Sequence, residues 1–109
     1  MTRTRNLSQH QWGAVLRVPV VENGKAKNIA NYTSLAVYIQ KPGGTVLTKT
    51  SAAGEVVLKT DGGDGLFQYV TIVGDLDEPG SYEWHGEATI PTGSFRNPRA
   101  GFYVEKSIA

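Results

Sequence analysis

The chain has 109 residues, of which 39% are hydrophobic, and it contains thirteen glycines and five prolines but no cysteine. This length fits one domain with a modest core, and the lack of cysteine excludes disulfide bonds and thiolate metal sites. A net charge of +1 gives no general attraction to nucleic acid or to anionic membranes, so we expect neither as a partner. No apolar run reaches the ~20 residues of a membrane span, and the polar start is unlike a signal peptide. We expect a soluble protein made in a cytoplasm.

The charges are unevenly distributed along the chain. Residues 1–50 hold seven basic side chains and one acidic side chain, whereas residues 51–109 hold four and nine. A fold that separates the two halves would favour head-to-tail or ring-like self-association. A fold that interleaves them would leave the charge scattered and solvated.

Alternation of apolar and polar residues predicts short strands after a polar N-terminal arm. Residues 1–10 predict a flexible arm, and residues 11–109 a single folded domain. Residues 11–21 alternate as a strand, and Pro19, which has no backbone N–H, places this strand at an edge or a bulge. The residues predicted to face the core are Trp12, Ala14, Leu16, Val18 and Val20.

Turn residues separate the next strands. Asn23-Gly24 is a strong hairpin signal, and residues 35–40 alternate as a strand. Pro42-Gly43 fits the centre of a type II turn. Short strands are predicted at residues 46–49 and 55–59.

The second half of the chain adds three longer strands. Residues 66–73 are apolar on both faces except at two positions, which predicts a central strand covered on both sides. Residues 81–90 have one apolar face and one polar face, residues 91–98 have the composition of a loop, and residues 100–105 form a last strand. Six to seven short strands without a helical period predict an all-β fold, an antiparallel β-sandwich of about seven short strands.

An ordered series of turn and strand segments runs through residues 11–104. Its members are residues 22–25 (ENGK), 29–33 (IANYT), 41–46 (KPGGTV), 65–69 (GLFQY), 77–82 (DEPGSY) and 102–104 (FYV). This series resembles the N-terminal domain of the bacteriophage baseplate upper protein and related small β-sandwich modules of phage tails.

The resemblance implies an immunoglobulin-like sandwich that docks one virion component to another and is not an enzyme. It implies other virion proteins as partners, among them copies of the chain in a symmetric oligomer, and a location in the virion after assembly in the host cytoplasm. In the baseplate family this domain begins a longer chain, whereas the sequence here ends at residue 109. Capsid decoration, a neck and a tail tube are therefore alternatives to the baseplate.

The residue types needed for catalysis are sparse. His10 lies in the predicted arm and His85 on the polar face of residues 81–90, and neither belongs to a recognisable nucleophile–base arrangement. Glu83 and Glu87 share a strand face but lie about 13 Å apart at strand rise, which is wider than glycosidase carboxylates usually are. We expect no catalytic residue and no cofactor.

Residues 61–65 (DGGDG) suggest a calcium loop at first sight. An EF-hand needs a Glu at its twelfth position, where this chain has Ile72. A looser calcium site that joins this loop to Asp75, Asp77 or Glu78 is the alternative to a plain glycine-rich turn, which we favour.

Aromatic and charged residues supply the candidate contacts with partners. Trp12 and Trp84 fall on core-facing positions, whereas Phe95 lies in the predicted loop. Strand edges and the terminal arm are expected to be adhesive. A carbohydrate-binding module that adheres to a host-surface glycan is the alternative function. The predicted partner-binding residues are Arg3, Arg5, Asp75, Asp77, Glu78, Phe95 and Arg96.

Overall fold

The computed structural model describes residues 7–106, and this part of the chain forms eleven β-strands and no helix. The fold is therefore all-β, as predicted. The strands are β1 (Leu7–Ser8), β2 (Val15–Pro19), β3 (Val21–Glu22), β4 (Lys25–Ala26), β5 (Ser34–Gln40), β6 (Val46–Thr50), β7 (Val56–Leu58), β8 (Leu66–Val70), β9 (Gly80–Ile90), β10 (Gly93–Arg96) and β11 (Ala100–Glu105).

The strands form three sheets. A six-stranded sheet has the order β1-β11-β9-β5-β6, with β10 also paired to β9, and a three-stranded sheet has the order β2-β8-β7. The third sheet is the small hairpin β3–β4. Every pairing is antiparallel except that of β1 with β11, which is parallel.

The two larger sheets pack against each other around one hydrophobic core. The sheets approach closely at Gly86 of β9, where a Cβ would lie 2.4 Å from Cγ2 of Val18 in β2 and 3.0 Å from Cζ of Phe67 in β8. The core draws side chains from both sheets. Its largest fully buried members are Tyr69, Tyr82, Phe67, Leu16, Ile29, Leu35, Ile39 and Leu76.

Strand predictions based on one apolar face are confirmed. β5 and β9 bury alternate residues, and β2 pairs with β8 alone, so Pro19 ends an edge strand. The hairpin prediction is confirmed too, because Asn23 and Gly24 have positive φ angles of 54° and 77°, as a type I′ turn requires.

Residues 7–10 were predicted to belong to a flexible arm, but they are part of the fold. Leu7 and Ser8 form β1 on the edge of β11, and Leu7 is buried because a single apolar side chain in a polar segment still gains free energy by joining the core. The backbone N–H groups of Gln9 and His10 also donate to distant carbonyls. The other predicted arm residues, among them Arg3 and Arg5, lie outside the described residues.

The type II turn predicted at Pro42-Gly43 is wrong. Such a turn needs a positive φ at its third residue, but the positive φ of 97° belongs to Gly44, one residue later. The Gly44 N–H donates to the Lys41 carbonyl at 2.9 Å. Either of the adjacent glycines Gly43 and Gly44 could adopt the positive φ angle. The pairing of β5 with β6 assigns it to Gly44.

The loop predicted at residues 91–98 is also wrong, because it contains β10. β10 pairs with the end of β9, and β11 pairs with its start. Residues 97–99, between β10 and β11, lie opposite only two residues of β9, His85 and Gly86. One extra residue on one strand is what defines a β-bulge. Asn97 occupies the bulge, where its Oδ1 accepts the Gly86 N–H at 2.6 Å. A bulge tolerates proline, so Pro98, which gives this segment the composition of a loop, is compatible with the paired strand β10.

Replacing Gly86 with alanine should lower the free energy of unfolding by about 1–3 kcal/mol, because the added methyl group overlaps Val18 and Phe67 in a closely packed interior. Chemical denaturation measures the change. The matched control is Gly93→Ala, whose new Cβ would meet Phe95 at an ordinary 3.5 Å and should change stability by less than about 1 kcal/mol. Equal effects at both positions would contradict the close approach of the sheets.

Candidate functional site

Five large apolar side chains lie exposed at one end of the three-stranded sheet. Their exposed fractions are Trp12 63%, Val15 46%, Val70 41%, Ile72 53% and Val73 74%. We call this set the Trp12 surface. It corrects two predictions: Trp12 does not face the core, unlike Trp84, and β8 is covered on one face only.

Backbone hydrogen bonds bring these residues together. Val15 and Val70 are direct partners across β2 and β8. Next to this pair, the Gly13 N–H donates to the Thr71 carbonyl at 2.8 Å. Trp12 precedes Gly13 and Ile72 follows Thr71, so the backbones of Trp12 and Ile72 flank this hydrogen bond. Gly13 has a φ of 86°, and this left-handed conformation ends the alternation that would have turned Trp12 inward.

A tight turn from Ile72 to Asp75 presents the most exposed member of the surface. The Asp75 N–H donates to the Ile72 carbonyl at 3.1 Å, and Gly74 has a φ of 95°, as the third residue of a type II turn requires. Val73 therefore occupies the second position of the turn and points into solvent. Gly74 followed by Asp75 is a turn signal in the sequence, whereas the strand predicted over residues 66–73 extends only to Val70.

The buried carboxylate of Asp75 anchors the turn. It accepts hydrogen bonds from the Tyr69 hydroxyl and, at 2.9 Å, from the Ile72 N–H, and its Oδ1 lies 3.4 Å from Lys49 Nζ. Burial and the hydrogen bond to Asp75 raise the pKa of Tyr69, so its hydroxyl stays protonated and remains a donor. The turn is thus held at three points.

The acidic residues predicted to bind a partner make contacts within the chain, and one of them is buried. Asp75 is only 4% exposed and is not available to a partner. Asp77 pairs with Lys41 at 2.7 Å, and this hydrogen bond lowers the pKa of Asp77. Glu78 accepts the Gly43 N–H at 3.0 Å. The latter two carboxylates join the segment after Asp75 to the β5–β6 turn.

The looser calcium site is not assembled. Residues 61–65 precede β8 and Asp75, Asp77 and Glu78 follow it, so the length of a five-residue strand, about 16 Å, separates them. Within residues 7–106 there is no group of three or more His, Cys, Asp or Glu side chains that could hold a metal ion.

A groove lies at the opposite end of β2. It is lined by residues 18–21 and 95–98 and has a volume of about 240 Å³. Phe95 packs against the core from one side, with Lys27 Nζ 5.7 Å from its ring centroid. Arg96 is 67% exposed and donates to Glu87 at 2.8 Å. Of the predicted partner-binding residues within residues 7–106, only Phe95 and Arg96 line this groove.

The basic and acidic halves of the chain interleave in the described residues. Lys41 pairs with Asp77, and Lys49 lies 3.4 Å from Asp75 and 3.8 Å from Glu55. These pairs join basic residues of the first half to acidic residues of the second half. In this part of the chain the charges are therefore interleaved rather than separated. The two halves do not form separate charged poles.

The polar face of β9 carries ion pairs and one stacked histidine. Glu83 pairs with Arg99 at 3.2 Å, and the His85 ring stacks on Tyr38 with centroids 5.1 Å apart. Partial burial, together with the charges of Arg96 and Arg99, lowers the pKa of His85. The folded protein therefore favours the neutral imidazole.

No protein-family model matches the chain, and no curated protein sequence is significantly similar to it. Residues 7–106 include no helix long and apolar enough to cross a membrane. The function is therefore inferred from the surfaces of the chain itself.

Replacing Asp75 with alanine should lower the free energy of unfolding by about 3 kcal/mol, because Lys49 and the Tyr69 hydroxyl lose a buried partner. Denaturant titration measures the change. Glu83→Ala is the control, since both members of its ion pair are exposed, and it should cost less than about 1 kcal/mol. A small loss at Asp75 would disprove the anchor.

The lowered pKa of His85 predicts a pH effect on stability. As the pH falls, the unfolded chain binds a proton at about 6.5 before the folded protein does, so this histidine reduces stability through that window and adds no further loss below its folded pKa. His85→Asn should show a smaller loss between pH 8 and pH 5 than the wild type, measured by thermal unfolding at each pH. The same pH dependence in both proteins would refute the assignment.

Proposed function

We propose that the chain is a non-enzymatic docking module, an immunoglobulin-like β-sandwich that joins other subunits of a bacteriophage virion. The observation that carries the docking function is the Trp12 surface. Its partners are other virion proteins, including copies of the chain itself, and its location is the virion after assembly in the host cytoplasm. Baseplate, neck, tail tube and capsid decoration remain the alternatives for its position.

The Trp12 surface supports docking because its exposed apolar side chains lie on neighbouring segments, and the turn that carries Val73 is anchored through Asp75. Single exposed hydrophobic residues are ordinary, but a contiguous apolar patch on a small domain typically marks an interaction site. The anchored turn at Asp75 keeps Val73 at 74% exposure rather than letting it fold onto the core. Aromatic residues such as Trp12 contribute strongly at interface centres.

Sheet order supports the immunoglobulin-like assignment. One immunoglobulin sheet contains strands G, F and C, with an additional C′ in variable domains, and the other contains A, B, E and D. The orders β11-β9-β5-β6 and β2-β8-β7 resemble G-F-C-C′ and B-E-D, although the three-stranded sheet has no counterpart of strand A among the described residues. Tyr82, near the start of β9, donates its hydroxyl to the Glu78 carbonyl at 2.8 Å, which resembles the tyrosine corner of such domains.

The resemblance of residues 11–104 to phage-tail sandwich modules supports the virion assignment. Several short strand edges remain unpaired among the described residues, namely those of β2, β6, β7 and β10. Edges of this kind pair readily with neighbouring chains, which suits a protein that works within an assembly.

A carbohydrate-binding module is the second candidate, and the exposed Trp12 ring favours it. Sugars stack on such rings but also require side chains that hydrogen-bond to their hydroxyl groups. The other four members of the Trp12 surface are aliphatic and offer none. A protein partner therefore fits this surface better than a glycan does.

The double variant Trp12→Ser with Val73→Ser should enter phage particles at least tenfold less than the wild type, because loss of an apolar interface centre costs about 2 kcal/mol or more. Cryo-electron microscopy of particles from the source should show ordered copies whose Trp12 surface is covered by another subunit. A tagged copy supplied during infection allows incorporation to be counted.

Val46→Ser is the matched control, since Val46 is 54% exposed on the edge strand β6, and it should enter particles normally. Equal incorporation of the double variant would reject the Trp12 surface as the docking site. Absence of the wild-type protein from particles would reject the virion role. Calorimetric binding to wall polysaccharides that is lost in Trp12→Ser would establish the glycan alternative.

A further inference from the structure

We propose that Lys49 and Asp75 form an intramolecular isopeptide bond in the folded chain, an amide between the side-chain amine and the side-chain carboxyl group. Lys49 lies in β6 of the six-stranded sheet, and Asp75 follows β8 of the three-stranded sheet. The bond therefore fastens the two sheets to each other covalently, which a chain without cysteine cannot do through a disulfide. This modification goes beyond the docking function and does not depend on it.

The amine and the carboxyl group meet inside the fold. Lys49 is the direct partner of Val37 across β6 and β5, and Val37 is fully buried, so the Lys49 side chain lies on the core-facing side of its sheet. Its Nζ is 3.4 Å from Asp75 Oδ1, and the two side chains are only 12% and 5% exposed. Groups held in contact inside a fold react as though they were very concentrated.

The other oxygen of the Asp75 carboxyl group is bound by two hydrogen-bond donors. The Tyr69 hydroxyl and, at 2.9 Å, the Ile72 N–H both donate to Oδ2, whereas Oδ1 faces Lys49. When the amine attacks Cγ, negative charge develops on the oxygen that the amide keeps. Two donors already directed at Oδ2 stabilise that charge, as an oxyanion hole does. The arrangement thus distinguishes the oxygen that is retained from the oxygen that leaves.

Glu55 is placed to carry the protons. Its Oε2 lies 3.8 Å from Lys49 Nζ, so the amine contacts a second carboxylate. Glu55 is fixed at the connection between β6 and β7, where its N–H donates to the Thr50 carbonyl at 3.1 Å and its Oε1 accepts the Thr50 N–H at 3.2 Å. A carboxylate held beside a reacting nitrogen is suited to general base and acid chemistry.

The reaction is a dehydration that uses only these side chains. A proton moves from Lys49 Nζ to Asp75 Oδ1, which gives a neutral amine and a carboxylic acid. The Nζ electron pair then bonds to Cγ, and the carbonyl π electrons move to Oδ2. Glu55 takes one proton from Nζ and gives it to the Oδ1 hydroxyl, which leaves as water while the electrons on Oδ2 re-form the carbonyl group. Nζ keeps one hydrogen, Glu55 is a carboxylate again, and the reaction occurs once per chain.

Burial favours the amide over the ion pair. Two charges removed from water carry a large desolvation penalty, and the amide replaces both with a neutral group. Oδ2 keeps its two donors as the amide carbonyl oxygen, and the new N–H has the Glu55 carboxylate within reach as an acceptor. The polar atoms of the cluster therefore retain partners when the bond has formed.

Intact-mass spectrometry of the denatured protein tests the bond. After several days of incubation in the folded state at neutral pH, the wild type should be lighter than the mass calculated from its sequence by one water molecule. A tryptic digest should contain one branched peptide that joins Lys49 to Asp75. Lys49→Arg should have the full mass, because a guanidinium group stays protonated and has no free amine. Lys27→Arg is the matched control, since Lys27 pairs with Glu22 at the surface, and it should lose water as the wild type does.

Glu55→Gln tests the proton carrier. Glutamine keeps an oxygen that can accept the Thr50 N–H but does not carry the proton, so the bond should form about a hundredfold more slowly. A cooperative unfolding curve verifies the fold of this variant, and an unchanged rate would overturn the assignment of Glu55.

A wild type of full mass would overturn the proposal itself. So would a loss of water that persists in Lys49→Arg, because the dehydration would then lie elsewhere in the chain. Docking is measured separately, by incorporation into particles, so failure of the bond leaves that function intact.

Discussion

The carboxylate of Asp75 is the interaction on which the Trp12 surface depends. It joins Tyr69 in the three-stranded sheet, Lys49 in the six-stranded sheet and the backbone of Ile72 in one buried cluster. A buried charge is stable only when it is paired and hydrogen-bonded, so the cluster holds its members in a single arrangement. The turn that carries the exposed Val73 is bound to this cluster through the Ile72 N–H.

The close approach of the sheets at Gly86 links the core to the groove. Only a residue without a side chain fits against Val18 and Phe67, and the backbone of Gly86 also binds Asn97 in the bulge between β10 and β11. That bulge sets where Phe95 and its neighbours lie relative to β2. Packing in the interior therefore shapes the groove at the surface. β2 connects the two features, because it begins at the Trp12 surface with Val15 and ends at the groove with Pro19.

Sequence patterns predicted the local structure well where one physical signal was decisive. Alternation placed β5 and β9 correctly, because burial of one face requires it, and the Asn23-Gly24 turn follows from the positive φ angles that those residues tolerate. Competing signals produced the errors. Pro98 concealed a bulged strand, and the largely apolar residues 70–73 concealed a turn at Val73. Of the residues predicted to contact partners, Phe95 and Arg96 share the groove, whereas Asp75 is buried.

Local sequence patterns were enough to predict an all-β chain, strands with one buried face and the position of the Asn23-Gly24 hairpin, and they placed the strand containing Pro19 at an edge or a bulge. These properties depend on local sterics and on side-chain period. Long-range packing places Trp12 and Ile72 on one exposed surface, buries Leu7 beside β11 and brings Phe95 to residues 18–21 in a groove. Each of these depends on segments far apart in the chain, and no local pattern records which segments a fold brings together.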